Sequence, residues 1–265
     1  MASAKDIIVK PITAQAANAL VKRVHYSGKV VNNSTLHFGA YLNDRLEGAM
    51  SFGSPLDKRK VLPLVDGTQW NGMLELNRMA FSDRLPRNSE SRCMAVAFRL
   101  IKKHYPHIEW VLSFSDGTQC GDGTIYRASG FVLTQVKQNS SLYETPCGTP
   151  IARMTWDSAT PERRAVIAKQ YGMIKFDASS FLAKTAKLNG MKSLTGFQLR
   201  YIYFLNPSAR QRLTVPILPF SKIDEMGAGM YKGRPKRDKQ AMATTSGTAE
   251  GQHLPSRSIF SGDIC

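Results

Sequence analysis

The sequence predicts a mixed α/β fold, of α+β type: a mostly antiparallel central sheet flanked by helices, followed by a C-terminal extension. Three observations carry this expectation. Apolar residues recur at helical spacing in two long stretches, β-rich runs come in pairs joined by short polar links, and helices and strands interleave along the chain. With 265 residues, 42% of them hydrophobic, the chain is long enough for one large domain plus an extension, or for two domains.

The first helix is expected over Thr13 to His25, where Ala17, Leu20, Val21 and Val24 share a face behind a Thr13 cap. LHFGAYL and LEGAMSFG then flank Asn43-Asp44-Arg45, the pattern of an antiparallel hairpin. MLELNRMAF, Met73 to Phe81, is the next strand, with Glu75 and Asn77 on one side and Leu74, Leu76 and Arg78 on the other. SRCMAVAFRLIKKHY is a strongly apolar helix with Met94, Ala97, Phe98 and Ile101 inside; Asn88 or Ser89 can cap it, and Glu90 suits its positive end. EWVLSFSDG reads as a buried strand. After it a polar loop leads to a short helix carrying Tyr126, and Gly130 stops that helix because glycine reaches the left-handed conformation cheaply. FVLTQVKQ and the run from Ser141 to Trp156, with a turn at Pro146 and Gly148 and a strand through Ile151-Ala152-Arg153-Met154, complete the sheet. Further on, a helix is expected from Thr160 to Tyr171 and a β-rich run from Gly196 to Asn206. The expected organisation is a core at 1–156, an extension at 157–231 that packs on it and contributes to DNA binding, and a disordered basic, polar tail at 232–265.

The net charge is +16, and its distribution matters. Residues 1–60 hold 9 Lys/Arg against 4 Asp/Glu, residues 61–135 hold 8 against 7, and residues 136–265 hold 19 against 9. Cations concentrated outside a balanced middle suit a polyanionic partner such as DNA or RNA. No run approaches the length of a membrane span, and MASAKDIIVK lacks the apolar core of a signal peptide, so no membrane partner and a cytoplasmic setting are expected. Cys93, Cys120, Cys147 and Cys265 are scattered without a CxxC pair, which fits a reducing compartment and offers no zinc framework.

The order of elements, with the ending Tyr126-Arg127-Ala128-Ser129-Gly130-Phe131, resembles the GNAT acyltransferase superfamily over residues 10–156. That resemblance implies two middle strands that splay apart, a donor pyrophosphate at the N-terminus of the helix between them, and a tyrosine general acid at Tyr126. A helix N-terminus is an anion cradle on physical grounds too, since its N–H groups are unpaired and carry partial positive charge. The donor-binding candidates are therefore Arg87, Asn88, Ser89, Ser91 and Arg92. Acyl-CoA-using members have glycines in this turn; here those positions fall on Glu90 and Arg92, and Glu90 is expected to compete with a pyrophosphate. The donor is left open between acetyl-CoA, an aminoacyl-tRNA and another metabolite.

HYSGK (25–29), LHFGAYL, LELNRMAFSDRLPRNSESR, SFSDGTQCGDGTIYRASGF and GFQLRYIYFL together resemble the Mom family of phage adenine-modifying enzymes, over residues 20–232. This resemblance implies transfer of a carbamoylmethyl group to the exocyclic amine of adenine in double-stranded DNA, shielding phage DNA from host restriction. A bound iron has been suggested for that family; no 2-His-1-carboxylate spacing is present, and no metal ligands are assigned. The adenine amine is a weak nucleophile and needs polarisation or deprotonation, so the catalytic candidates are Tyr126, Asp116, Ser115, Glu75 and His25. A base flipped out of a duplex needs aromatic walls and cations, for which Tyr26, Lys29, Asn77, Arg78, Arg200, Tyr201 and Tyr203 are the candidates. Two alternatives stay open: a conventional N-acetyltransferase of a small amine or protein, and a non-catalytic DNA-binding protein. An adenine methyltransferase is excluded because Asn206-Pro207-Ser208-Ala209 lacks the second proline and the aromatic of that class, and no GxGxxG follows a strand.

Overall fold

A computed structural model describes residues 3–118, 120–231 and 234–235. In chain order the main elements are β1 (Ile8–Pro11), α1 (Ala14–Val24), β2 (Ser34–Leu42), β3 (Arg45–Gly53), α2 (Lys58–Val61), β4 (Met73–Phe81), α3 (Ser89–His104), β5 (Trp110–Asp116) and α4 (Thr124–Ala128). Then follow β6 (Val132–Glu144), β7 (Pro150–Ala152), α5 (Arg153–Asp157), α6 (Pro161–Gln170), α7 (Leu182–Leu188), β8 (Lys192–Phe204) and α8 (Ser221–Glu225). The chain forms two compact units, one of Met1–Lys137 with Gln198–Arg234, the other built on Gln138–Phe197. The boundary expected at 156 falls inside α5, because β6 and β8 are long strands that each run from one unit into the other. The expected tail lies outside the described residues except for Arg234 and Pro235.

In the first unit the strands run β1-β2-β3-β4-β5-β8-β6. All the registered pairs there are antiparallel except β4 with β5. The expected hairpin forms around Asn43 and Asp44, both with positive φ (50° and 61°), the backbone that a two-residue hairpin turn requires and that Asn and Asp tolerate. Thr13 caps α1 by accepting from the Ala16 N–H at 3.2 Å; Ala17, Leu20 and Val21 are buried, and Ala17 and Leu20 pack with Ala49. On α3, Met94, Ala97, Phe98 and Ile101 are buried as their spacing predicts. Phe98 sits among Phe52, Phe131 and Tyr203, with ring centroids 6.3, 5.8 and 4.3 Å away.

β4 and β5 pair in parallel only over Met73–Glu75 and Trp110–Leu112. Beyond Glu75 and Leu112 the two strands part, although β4 continues to Phe81 and β5 to Asp116. This is the splay implied by the GNAT resemblance, and it opens a gap in the sheet lined by the ends of both strands. β8 fills the far side of β5 with a full antiparallel register from Trp110↔Phe204 to Asp116↔Gln198.

In the second unit β6 pairs with β7 through Leu142↔Ala152 to Glu144↔Pro150. The strand expected through Arg153 and Met154 ends at Ala152; Arg153–Asp157 is helical instead. The turn into α5 lets Trp156 enter a cluster with Ile151, Ile167 and Leu182, where its ring is fully buried. α6 forms where a helix was expected, capped by Thr160 with Pro161 at its start, and α7 was not anticipated. Arg164 ties this unit together by donating to the carbonyls of Trp156 (2.8 Å), Asp157 (2.9 Å), Ala178 (2.8 Å) and Ser180 (3.2 Å). Among the described residues no helix is long and apolar enough to cross a membrane.

Candidate active site

The gap between β4 and β5 gathers side chains from four stretches of the first unit. Tyr126 arrives on α4, whose start is fixed by Gly123 at φ +80°; a Cβ there would lie 2.4 Å from the Tyr201 ring, so only glycine fits. Gly130 (φ +84°) ends the helix as its position predicts, with Phe131 N–H returning to the Tyr126 carbonyl at 3.1 Å. An internal ion pair anchors α4: Asp122, 1% exposed, receives Arg127 Nη2 at 3.1 Å and the Thr124 hydroxyl at 3.0 Å. Tyr201 donates to the Asp122 carbonyl, and its ring lies 5.2 Å from that of Tyr126. Burial raises the pKa of the Tyr126 hydroxyl, with Ser113 opposing and Cys120 and Glu75 adding to the shift. Tyr126 is therefore protonated at neutral pH and able to donate.

Glu75 stands where the two strands part. Burial raises its pKa to about 7, against the opposing pull of a hydrogen bond from Asn77 and the charge of Arg78. A carboxylate poised near neutrality can take a proton and return it. Asn77 is held in turn by the Ser34 hydroxyl at 2.9 Å. Arg78 is fixed from two sides, its Nε donating to the Lys29 carbonyl (3.0 Å) and its Nη1 to the Asn77 carbonyl (2.9 Å). Alternation put Arg78 on the face of β4 opposite Glu75, but the β3–β4 register shifts at Asn77, with Leu76 opposite Phe52 and Arg78 opposite Ser51, and the Arg78 charge acts on Glu75, Tyr126, Tyr26 and His25.

The remaining candidates divide by what they touch. Tyr26 reaches Asp116 Oδ2 at 3.4 Å and keeps a half-exposed ring; burial of its hydroxyl and then the Asp116 carboxylate raise its pKa. Asp116 also accepts from the Thr118 N–H at 2.8 Å. His25 stacks on Tyr26 at 4.4 Å, and burial followed by the Arg78 charge lowers its pKa to about 4, so it is neutral at pH 7. Ser27 N–H donates to its Nδ1 at 3.1 Å, leaving the ring proton on Nε2. Ser115 points its hydroxyl to the Gly121 carbonyl at 2.5 Å and so holds the loop that precedes α4. Tyr201 is fully buried and Tyr203 packs on Phe98, so both are framework. Arg200 lies on the opposite face of β8 from Tyr201 and donates to Thr134 Oγ1 at 2.9 Å. The sequence did not single out Asp122 or Cys120. Asp122 hid in an Asp-Gly pair that reads as an ordinary turn, and Cys120 is brought to the cluster only by the loop, where its thiol acts on Tyr26 and Tyr126.

At the start of α3 lies an open cavity of about 680 Å³, lined by Lys5, Arg87, Asn88, Ser91, Arg92 and Ser129 among others. Asn88 precedes the helix in the left-handed conformation (φ 67°) with no side-chain cap bond, so the turn's glycine-like backbone falls on Asn88 rather than on Glu90 or Arg92. Neither Glu90 nor Ser89 lines this cavity, and the Ser89 hydroxyl donates to the Pro86 carbonyl at 2.5 Å. Arg92 Nη1 is buried without a hydrogen-bond partner, an orphaned cation beside an uncapped helix end. Lys5, Arg87 and Arg92 gather at the open start of α3 and are the residues that could hold a phosphate-bearing group. Among the described residues no cluster of three or more His, Cys, Asp or Glu is assembled that could hold a metal ion.

Among solved structures, a GNAT family acetyltransferase from Elizabethkingia anophelis with acetyl-CoA bound is 12% identical, covers 75% of this chain and 98% of its own, and superposes with a TM-score of 0.38. A Bacillus subtilis acetyltransferase in complex with CoA is 10% identical, covering 75% and 97%, with a TM-score of 0.37. The methylcarbamoylase mom of Escherichia phage Mu is 34% identical over 214 residues, 80% of this chain and 81% of that protein. The model of the Mom protein family matches residues 6–222, a span that contains the splayed strands, the start of α3 and Tyr126; the chain belongs to the Mom protein family and is a transferase.

Proposed function

We propose that this chain is a phage DNA-modification enzyme that transfers a carbamoylmethyl group to the exocyclic amine of adenine in DNA, protecting the DNA from host restriction. The observation that carries the reading is the pairing of Glu75, with a pKa of about 7, and a protonated Tyr126 around Arg78 in the gap between β4 and β5. The relative from phage Mu carries the name methylcarbamoylase, which supports a transferase of this kind.

Glu75 takes the proton from the adenine amine as its nitrogen bonds to the donor carbon. Tyr126 gives its proton to the leaving group as the bond from that carbon breaks, and proton transfer between the two groups restores the starting state. Arg78, held through its Nε and Nη1, stabilises the negative charge that develops between them. Tyr26 offers a half-exposed ring on which a flipped base can stack. Lys5, Arg87 and Arg92 would hold the phosphates of a donor that carries its leaving group on the methylene carbon of the carbamoylmethyl group, since attack on a simple thioester or aminoacyl ester carbonyl would give an amide instead.

DNA from cells expressing the chain, digested to nucleosides and analysed by mass spectrometry, should contain an adenosine heavier by an acetamide-sized group. Unmodified adenosine throughout would reject the reading. Tyr126→Phe keeps the ring contacts and should lower the yield by about 10²- to 10⁴-fold, the usual contribution of a positioned acid.

A further inference from the structure

The connection between β3 and β4, residues 54–72, is left unused by the chemistry above. It carries Leu56, whose side chain is 83% exposed, directly before a run of three cations, Lys58, Arg59 and Lys60, against one acid, Asp57. Lys58 Nζ lies over the ring of Trp70, itself 56% exposed, at 5.0 Å from the ring centroid. An isolated exposed leucine is ordinary on a protein surface. This one differs in where it is anchored. Gly53, the last residue of β3, is the register partner of Glu75, and the next carbonyl, that of Ser54, accepts from the amides of Asn33 and Asn77 (3.5 Å from Asn77). Three residues of extended chain span at most about 10 Å, so Leu56 is tethered within that distance of the backbone that faces Glu75.

An adenine inside a duplex cannot reach a buried carboxylate unless it leaves the stack, and the gap it leaves must be filled or it closes again. We propose that the β3–β4 connection is the duplex-opening element of this enzyme: Leu56 enters the base stack in place of the extruded adenine, and Lys58 and Arg59 hold the flanking phosphates. The inference rests on the DNA reading above and adds to it the surface that receives the duplex. An apolar tip beside successive cations matches that occupant in both of its parts, the stacked bases and the charged backbone.

The test uses the full chain and a long duplex in which 2-aminopurine, fluorescent when unstacked, replaces a fraction of the adenines, so that no sequence context need be known. Saturating wild-type protein should raise the fluorescence. Leu56→Ser, at a position too exposed to affect folding, should cut that rise roughly tenfold while duplex affinity stays within about threefold. Arg59→Ala should instead weaken duplex affinity and reduce its salt dependence by about one unit of slope. A full fluorescence rise with Leu56→Ser, or DNA binding by the wild type without any rise, would overturn the wedge and leave the nucleoside experiment to judge the enzymatic reading. Failure of the wild type to bind DNA at all would remove that reading along with the wedge.

Discussion

Glu75 is the residue at which stability and function pull apart. An ordinary glutamate has a pKa near 4.5, and this one is raised to about 7 because ionising it in the gap costs solvation that Asn77 and Arg78 only partly replace. For a carboxyl group whose folded pKa is raised, the fold binds the proton more tightly than the unfolded chain, so stability falls as pH climbs from about 4.5 to about 7 and stays reduced above. Glu75→Gln should therefore be more stable than wild type at pH 8, by about 1 to 3 kcal/mol in urea unfolding, and inactive. It should be no more stable at pH 4, where the wild-type carboxyl is already neutral. Wild-type activity should rise with pH through about 7 as Glu75 ionises. His25, the other base suggested by the sequence, has its pKa pushed down to about 4 and its Nδ1 occupied by Ser27, so the neutral imidazole serves Tyr26 as a stacking surface.

At the scale of elements, the start of α3 is where the proposed function would seat its donor. A side-chain cap would occupy the N–H groups that an anion needs, and here Asn88 supplies none; it is spent on the left-handed turn that aims the helix. Asparagine tolerates that conformation, glycine adopts it freely, and a β-branched residue does not. Asn88→Gly should leave stability within about 1 kcal/mol, whereas Asn88→Val should cost about 1 to 3 kcal/mol in chemical denaturation, with the loss centred on the α3 start in hydrogen exchange. The same scale explains Ser115, Tyr201 and Arg200. Their residue types suited a site, but Ser115 holds a loop, Tyr201 supports α4 through the Asp122 carbonyl, and Arg200 braces β6 through Thr134.

At the scale of the molecule, the net charge of +16 would govern association with the DNA of the proposed function. DNA affinity should fall steeply with salt, by roughly 10³-fold between about 50 and about 200 mM if some six phosphates are neutralised, as measured by fluorescence anisotropy on a duplex of arbitrary sequence. A salt-independent affinity would show that the excess charge lies away from the DNA.

Sequence alone determined the order of helices and strands from α1 to β6 apart from α2, the hairpin at Asn43-Asp44, the buried face of α3 and the glycine stop after Tyr126, because each depends on local spacing or on backbone conformations that few residues adopt. It also carried Glu75, Arg78 and Tyr126 as candidates, through their places at strand ends and on the short helix. The helix at Arg153–Asp157, the missed α7, the buried Asp122–Arg127 pair and the division of the chain through β6 and β8 were decided by long-range packing. So were the roles. Whether a tyrosine, a serine or an arginine meets the gap or the framework depends on which strands part and which stay paired, and that is settled only when β4, β5 and β8 come together, because desolvation and charge act through space between residues far apart in the chain.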